Sequence, residues 1–181
     1  MMKTLRDIGI TILIAIAIFV SLRFTIQGYT VRYSCMLPNI EDGEWIMVNK
    51  ASYFFSDPER GEVIVFWPPE DVDSEYPFIK RVIAQPGDTV EVKNGRVFIN
   101  DIPLEEEYIR EPPRYTMPPE TIPDGEYFVL GDNRNNANDS HSWGTVPDDN
   151  VIGKAWFIYW PPDKWGILKH YGYPELTAGV K

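Results

Sequence analysis

Thr89-Val90-Glu91-Val92-Lys93-Asn94-Gly95-Arg96-Val97-Phe98-Ile99 reads as two short strands around a tight corner. Valine, isoleucine and phenylalanine alternate with polar residues on both sides, which is the period of a half-buried strand. Asn-Gly supplies the positive φ angles of a two-residue type I′ turn. Working outward, the apolar pattern stays strand-like. Glu44 to Lys50, Glu62 to Trp67, Phe78 to Ala84, Glu126 to Leu130 and Lys154 to Trp160 are short runs rich in β-branched and aromatic residues. Pro68 to Pro77 and Leu104 to Pro123 are rich in proline and acid and are expected to be loops or extended arms. With 16 prolines and 13 glycines, the chain predicts many turns and little helix outside its N-terminal segment. No internal repeat is evident. The expected fold class is mostly β, a curled antiparallel or barrel-like sheet.

The exception is the N-terminus. Met1 to Asp7 is short and polar, with Lys3 and Arg6, and Ile8 to Leu22 is apolar or small apart from Thr11 and Ser21. A bilayer span needs about 20 helical residues. Asp7 to Gln27 provides them if Arg23 snorkels to the headgroups. A cleaved export signal would be followed by a small-x-small pattern, but the next residues are Gly28-Tyr29-Thr30-Val31-Arg32-Tyr33. Residues 1–27 are therefore expected to form one retained transmembrane helix. Residues 28–181 would form a β domain with a loop-rich insertion around 87–125. Lys3 and Arg6 on one side balance Arg23 and Arg32 on the other, so charge alone does not orient the span. The aromatic cluster Trp156-Phe157-Ile158-Tyr159-Trp160 with Trp165 is read first as a core strand and its tail, and second as a headgroup-zone anchor.

The net charge of −10 over 181 residues argues against a nucleic-acid partner, which would need a basic face. Two histidines, His141 and His170, and the single Cys35 lack metal-ligand spacing. No glycine-rich phosphate loop is present, so no metal and no cofactor are expected. One cysteine also excludes an intramolecular disulfide. That cysteine sits in Val31-Arg32-Tyr33-Ser34-Cys35-Met36-Leu37-Pro38-Asn39-Ile40, directly after the apolar segment. By itself, a lone cysteine reads as a small buried hydrophobe.

Three further stretches change that reading: Arg60-Gly61-Glu62-Val63-Ile64-Val65-Phe66, Phe78 through Lys80-Arg81-Val82-Ile83 to Asp88, and Gly131-Asp132-Asn133-Arg134 through Asp139-Ser140-His141 to Gly144. With the cysteine segment they resemble, in order and spacing, the motifs of type I signal peptidases, membrane-anchored Ser/Lys endopeptidases. The resemblance runs from the apolar segment to about Trp160. It implies a signal-peptidase fold in the plasma membrane, single-pass, with the N-terminus cytoplasmic and the catalytic domain on the extracytoplasmic face. The implied partners are the lipid bilayer and the signal peptides of exported preproteins.

The resemblance also assigns residues. Cys35 stands where the family has its nucleophilic serine before Met-x-Pro. Ser34 falls one residue early, and in a strand it would face the other way. Lys80 stands at the general base, and burial among apolar neighbours is the ordinary way to make a lysine a base at neutral pH. Arg81, on the opposite face, is expected to be structural. Ala137 replaces a serine that orients the lysine, His141 replaces an arginine, and Asp139 is expected to support the site electrostatically. The oxyanion would meet the backbone N–H of residue 35, with Tyr33 at the position of a second donor. Val31, Met36, Ile40, Phe78 and Ile79 would line shallow pockets for small leader residues, the leader adding as a strand between the two segments. The implied function is removal of signal peptides by acyl transfer through a nucleophile/lysine dyad. The alternative is an impaired or silent relative, or a substituted variant, that binds extended peptides at the membrane.

Overall fold

The computed structural model describes residues 2–178. It opens on helix α1 (Met2–Thr25) and continues as strands. These are β1 (Ile26–Thr30), β2 (Trp45–Asn49), β3 (Val63–Phe66), β4 (Phe78–Ala84), β5 (Thr89–Lys93) and β6 (Arg96–Ile99). Then come β7 (Ile102–Pro103), β8 (Met117–Thr121), β9 (Glu126–Leu130), the short helix α2 (Ser140–Trp143) and β10 (Val146–Pro147). β11 (Val151–Trp160), β12 (Gly166–Ile167) and helix α3 (Pro174–Ala178) follow. The architecture is mostly β, as expected. α1 is the one helix among the described residues long and apolar enough to cross a membrane, and none of its apolar window is buried against the domain.

The main sheet runs β1-β2-β11-β3-β4-β9-β10, with β12 on β11, and the second sheet runs β7-β6-β5-β8. Every pairing is antiparallel. The Asn-Gly corner is where it was expected, with φ of 52° at Asn94 and 73° at Gly95. Strand alternation sorts the core. On β3, Val63 and Val65 face one apolar cluster with Val31, Met36, Ile40, Ile46, Ile79 and Ile158. Ile64 and Phe66 face another with Val82, Tyr127 and Val146. A third cluster joins the end of β4 to the second sheet through Ile83, Val90, Val97, Ile99 and Phe128.

Three expectations need correction. The helix stops at Thr25, and Ile26 and Gln27 already pair with Asn49 and Val48 as strand β1. Part of the stretch read as loops or extended arms, Met117–Thr121, is paired as strand β8 on the edge of the second sheet. Its prolines are tolerated there because an edge strand has a row of N–H groups with no ladder partner. The aromatic cluster lies on a central strand, β11, as first read, but its tryptophans are not core. Trp156, Trp160 and Trp165 are exposed, and β11 buries Ala155 and Ile158 instead. Register shifts after Ala155 and Ile158 re-aim its side chains.

Candidate active site

Cys35 does not lie on a strand. Residues 35–39 form a turn in which Asn39 and Ile40 both donate to the carbonyl of Met36, at 3.0 Å each. The alternation argument that set Ser34 aside therefore does not apply. Ser34 is held instead by its own partners, its Oγ accepting from Asn136 Nδ2 at 3.0 Å. The turn is clamped by the Gly131–Asn136 stretch. Asn133 N donates to the carbonyl of Cys35 at 2.9 Å, and Asn133 Nδ2 to that of Ser34 at 3.0 Å. The fit leaves no room at Gly131, where a Cβ would lie 2.6 Å from the carbonyl oxygen of Cys35 and 2.5 Å from Cβ of Ala137. Gly131→Ala is expected to push the cysteine turn out of place and cut activity at least about tenfold, as ångström-scale misplacements do. Assay of leader cleavage beside the circular dichroism spectrum separates this from unfolding.

Lys80 comes from the middle of β4 and meets Cys35 across the interior. Its Nζ donates to Cys35 Sγ at 3.3 Å and to the carbonyl of Ile79 at 2.9 Å. The cysteine Sγ lies 3.8 Å from the same carbonyl. Both groups are buried, Cys35 at 8% exposure and Lys80 at 3%. Lys80 Nζ is 5.1 Å from the centroid of the Phe78 ring. The amide of Cys35 has no acceptor among the described residues.

The next residue, Arg81, turns the other way and is structural, as expected. It makes a two-pronged pair with Asp132, Nε to Oδ1 at 2.8 Å and Nη2 to Oδ2 at 2.7 Å, with both side chains buried. Burial alone would lower the guanidinium's pKa; the hydrogen bonds and charge of Asp132 raise it instead. Asp132 Oδ2 also accepts from Asn39 Nδ2 at 2.7 Å. One carboxylate thus ties the cysteine turn to the lysine strand. Asn39, Asp132, Asn133 and Asn136 were not singled out from sequence, although three of them lie in the Gly-Asp-Asn stretch. The only hint was that a buried arginine beside the lysine needs a carboxylate.

Asp139 is fully buried. Its Oδ2 accepts from Gly131 N at 2.9 Å, and its Oδ1 caps α2 through His141 N and pairs with His141 Nδ1 at 2.5 Å. His141 stacks on Tyr115 with centroids 4.0 Å apart. Tyr33 has a left-handed φ of 69°, an uncommon conformation for a residue with a side chain, and is 75% exposed. Its amide donates to Asp42 Oδ1 at 2.7 Å, so only its phenol is free to turn toward an oxyanion.

Cys35 and Lys80 open into a cleft of about 1610 Å³. Gln27 to Cys35 form one wall, Asp73 to Lys80 another, and Arg114, Tyr115 and Arg134 to Asn138 also line it. Arg32 and Tyr76 bridge the walls, guanidinium to ring centroid 3.8 Å. Of the expected pocket residues, Val31, Phe78 and Ile79 line the cleft. Met36 and Ile40 do not; both are wholly buried in the apolar cluster beneath it. Ile46 and Val65 line the cleft and were missed. Away from it, Glu59, Glu62 and His170 bring ligand-type atoms within 4.8 Å of one another. Glu62 is already engaged by Tyr53, Lys154 and the amide of Glu59.

The family model for signal peptidases, peptidase S26, matches residues 3–160. The chain belongs to this family. It is 46% identical over 168 residues to a probable signal peptidase I-1 of Synechocystis, covering 90% of this chain and 86% of that one. It is 45% identical over 138 residues to thylakoidal processing peptidase 1 of Arabidopsis thaliana, covering 71% of this chain and 40% of that one. A crystal structure of a signal peptidase I from Enterococcus faecalis matches at 31% identity, with 55% of this chain and 97% of that chain covered and a TM-score of 0.48. Signal peptidases are endopeptidases, and this one carries the N-terminal apolar helix of a membrane-associated protein.

Proposed function

We propose that this signal peptidase removes signal peptides from exported preproteins with Cys35 as nucleophile and Lys80 as general base. The carrying observation is the 3.3 Å contact between Lys80 Nζ and Cys35 Sγ at the floor of the cleft. The neutral amine takes the thiol proton, and sulfur attacks the scissile carbonyl carbon. The oxyanion that forms is met by the free amide of Cys35, with the phenol of Tyr33 as the nearby second donor. Collapse breaks the C–N bond, and the Lys80 ammonium gives its proton to the leaving amine. A thioester remains. Water attacks it with Lys80 again as base, the C–S bond breaks, and the proton returns to sulfur. Asp139 holds Gly131 and α2 in place and touches no reacting atom.

The anchor is α1, residues 26–178 form the peptidase domain, and the domain lies on the extracytoplasmic face of the plasma membrane. The small side chains of the leader rest on Val31, Ile46, Val65, Phe78 and Ile79. A leader with alanine at its last and third-last positions is therefore expected to be cut, and phenylalanine at the last position to block cutting by steric exclusion. Equal rates for the two leaders, followed by mass spectrometry of the products, would refute this pocket. One observation favours a second reading, a silent peptide binder. Ala137 offers no hydroxyl to Lys80, whose acceptors among the described residues are Ile79 O and Cys35 Sγ. Absence of cleavage in both the parent and Cys35→Ser proteins would select that reading.

A further inference from the structure

Among the described residues, three serines line the cleft: Ser34, Ser74 and Ser142. The first two hydroxyls are engaged by groups that cannot act as a base. Ser34 Oγ accepts from Asn136, and Ser74 Oγ donates to the carbonyl of Tyr76 at 2.7 Å. Ser142 is different. Its side chain is exposed to the cleft, and its Oγ lies 3.1 Å from Nε2 of His141.

The imidazole beside it is held from two sides. Its Nδ1 lies 2.5 Å from Oδ1 of Asp139, a side chain with no exposure at all. A carboxylate only accepts, so Nδ1 carries the proton and Nε2 turns its lone pair to the serine hydroxyl. The ring plane is fixed by Tyr115, which stacks on it with centroids 4.0 Å apart and planes 16° from parallel. Asp139 is itself fixed by the amides of Gly131 and His141. A hydroxyl, a base in reach of it and a buried carboxylate that orients the base are the parts of an activated nucleophile. The side chain of Asn138 lines the same cleft, is exposed, and has no hydrogen-bond partner among the described residues.

We infer that Ser142, His141 and Asp139 form a second nucleophilic centre in the cleft, which hydrolyses short-chain carboxylic esters without Cys35 or Lys80. His141 Nε2 takes the hydroxyl proton as Ser142 Oγ attacks the ester carbonyl carbon. The Asn138 amide meets the oxyanion. The C–O bond to the alcohol breaks, and the imidazolium returns its proton to the departing alcohol. Water then attacks the acyl-serine with His141 as base, the Oγ–C bond breaks, and the proton goes back to Ser142. Esters fit this site better than amides, because an exposed serine has no closed, water-free pocket in which to protonate a poor leaving amine. The acyl group is short, because the neighbouring lining is Arg114, Asn135, Asn136 and Asn138, with no apolar slot for a long chain.

The test uses the full chain in detergent micelles, with Cys35→Ala and Lys80→Met together so that the other dyad is silent. A fluorophosphonate is the probe: Oγ–P forms, P–F breaks, fluoride leaves and the proton goes to His141. Mass spectrometry is expected to find the label on Ser142. Ser142→Ala should abolish labelling and the turnover of p-nitrophenyl acetate, and His141→Gln should slow both by about 10²- to 10⁴-fold. In the otherwise unaltered chain, Ser142→Ala should cut leaders at the parent rate. A label on another serine, or ester turnover that survives Ser142→Ala, overturns the second centre and leaves the peptidase reading untouched. Leader cleavage lost while Ser142 still labels counts against the peptidase reading alone. Should His141→Gln not fold, the comparison is between the native protein and the same protein unfolded in urea. Labelling confined to the native form supports the centre; equal labelling of Ser142 in both forms shows an ordinary hydroxyl and overturns it.

Discussion

Lys80→Met is expected to lower the rate of leader cleavage by about 10²- to 10⁴-fold, the span that a positioned general base contributes. Methionine keeps the volume of the lysine stem, so the buried site stays filled. The β4 ladder is also preserved, because residue 80 pairs with Ile64 through the backbone. Stability should change little and activity greatly. Cys35→Ala should be as damaging, and the double variant should be no worse than either single one, because a nucleophile and its base act as a unit. Cys35→Ser should cut at least as well as the parent, since the surrounding motif resembles one built around a hydroxyl. Initial rates on one preprotein for all four variants check this. A Lys80→Met enzyme within tenfold of the parent would remove the lysine from the mechanism.

The strands were legible wherever local pattern and tertiary role agree. β4 and the Asn94-Gly95 hairpin begin and end at the expected residues, because a buried central strand and a positive-φ corner each leave a direct mark on sequence. β1 left no such mark, since Ile26 and Gln27 were read as the end of the helix and Gly28 to Thr30 carry no alternating apolar pattern. β8 was hidden by Pro118 and Pro119, which count against a strand unless it is known to lie at an edge. At the site, Cys35 and Lys80 stood out only through the motif order; nothing local to either says that they meet. Met36 and Ile40 were placed in the pocket on the same ground. The turn at 35–39 carries them beneath the cleft, and a turn's side-chain directions do not follow from alternation. The tie from Asn39 to Asp132 joins residues 93 apart in the chain, a distance no local pattern reports.

That tie leads to the largest expected effect on stability. Asp132→Ala leaves the buried Arg81 guanidinium with two backbone carbonyls, those of Gly61 at 2.7 Å and Lys169 at 3.3 Å, and no counter-charge. Removing one partner of a buried ion pair costs about 3–5 kcal/mol, a large share of the roughly 5–15 kcal/mol that holds a domain together. Replacing the whole pair differs in kind, because apolar residues of similar volume escape the desolvation penalty and are often neutral or stabilising. Arg81→Met with Asp132→Leu should therefore recover most of the stability that Asp132→Ala loses. It should not recover activity. Asn39 Nδ2 would keep its bond to the carbonyl of Tyr108, at 2.8 Å, but lose Asp132 Oδ2, which joins the Cys35 turn to the strand that carries Lys80. Urea unfolding of the three proteins, read beside leader cleavage, separates the two roles. Full activity in the stabilised double variant would show that the carboxylate serves the fold alone and that the 3.3 Å contact between Lys80 and Cys35 is held by other means.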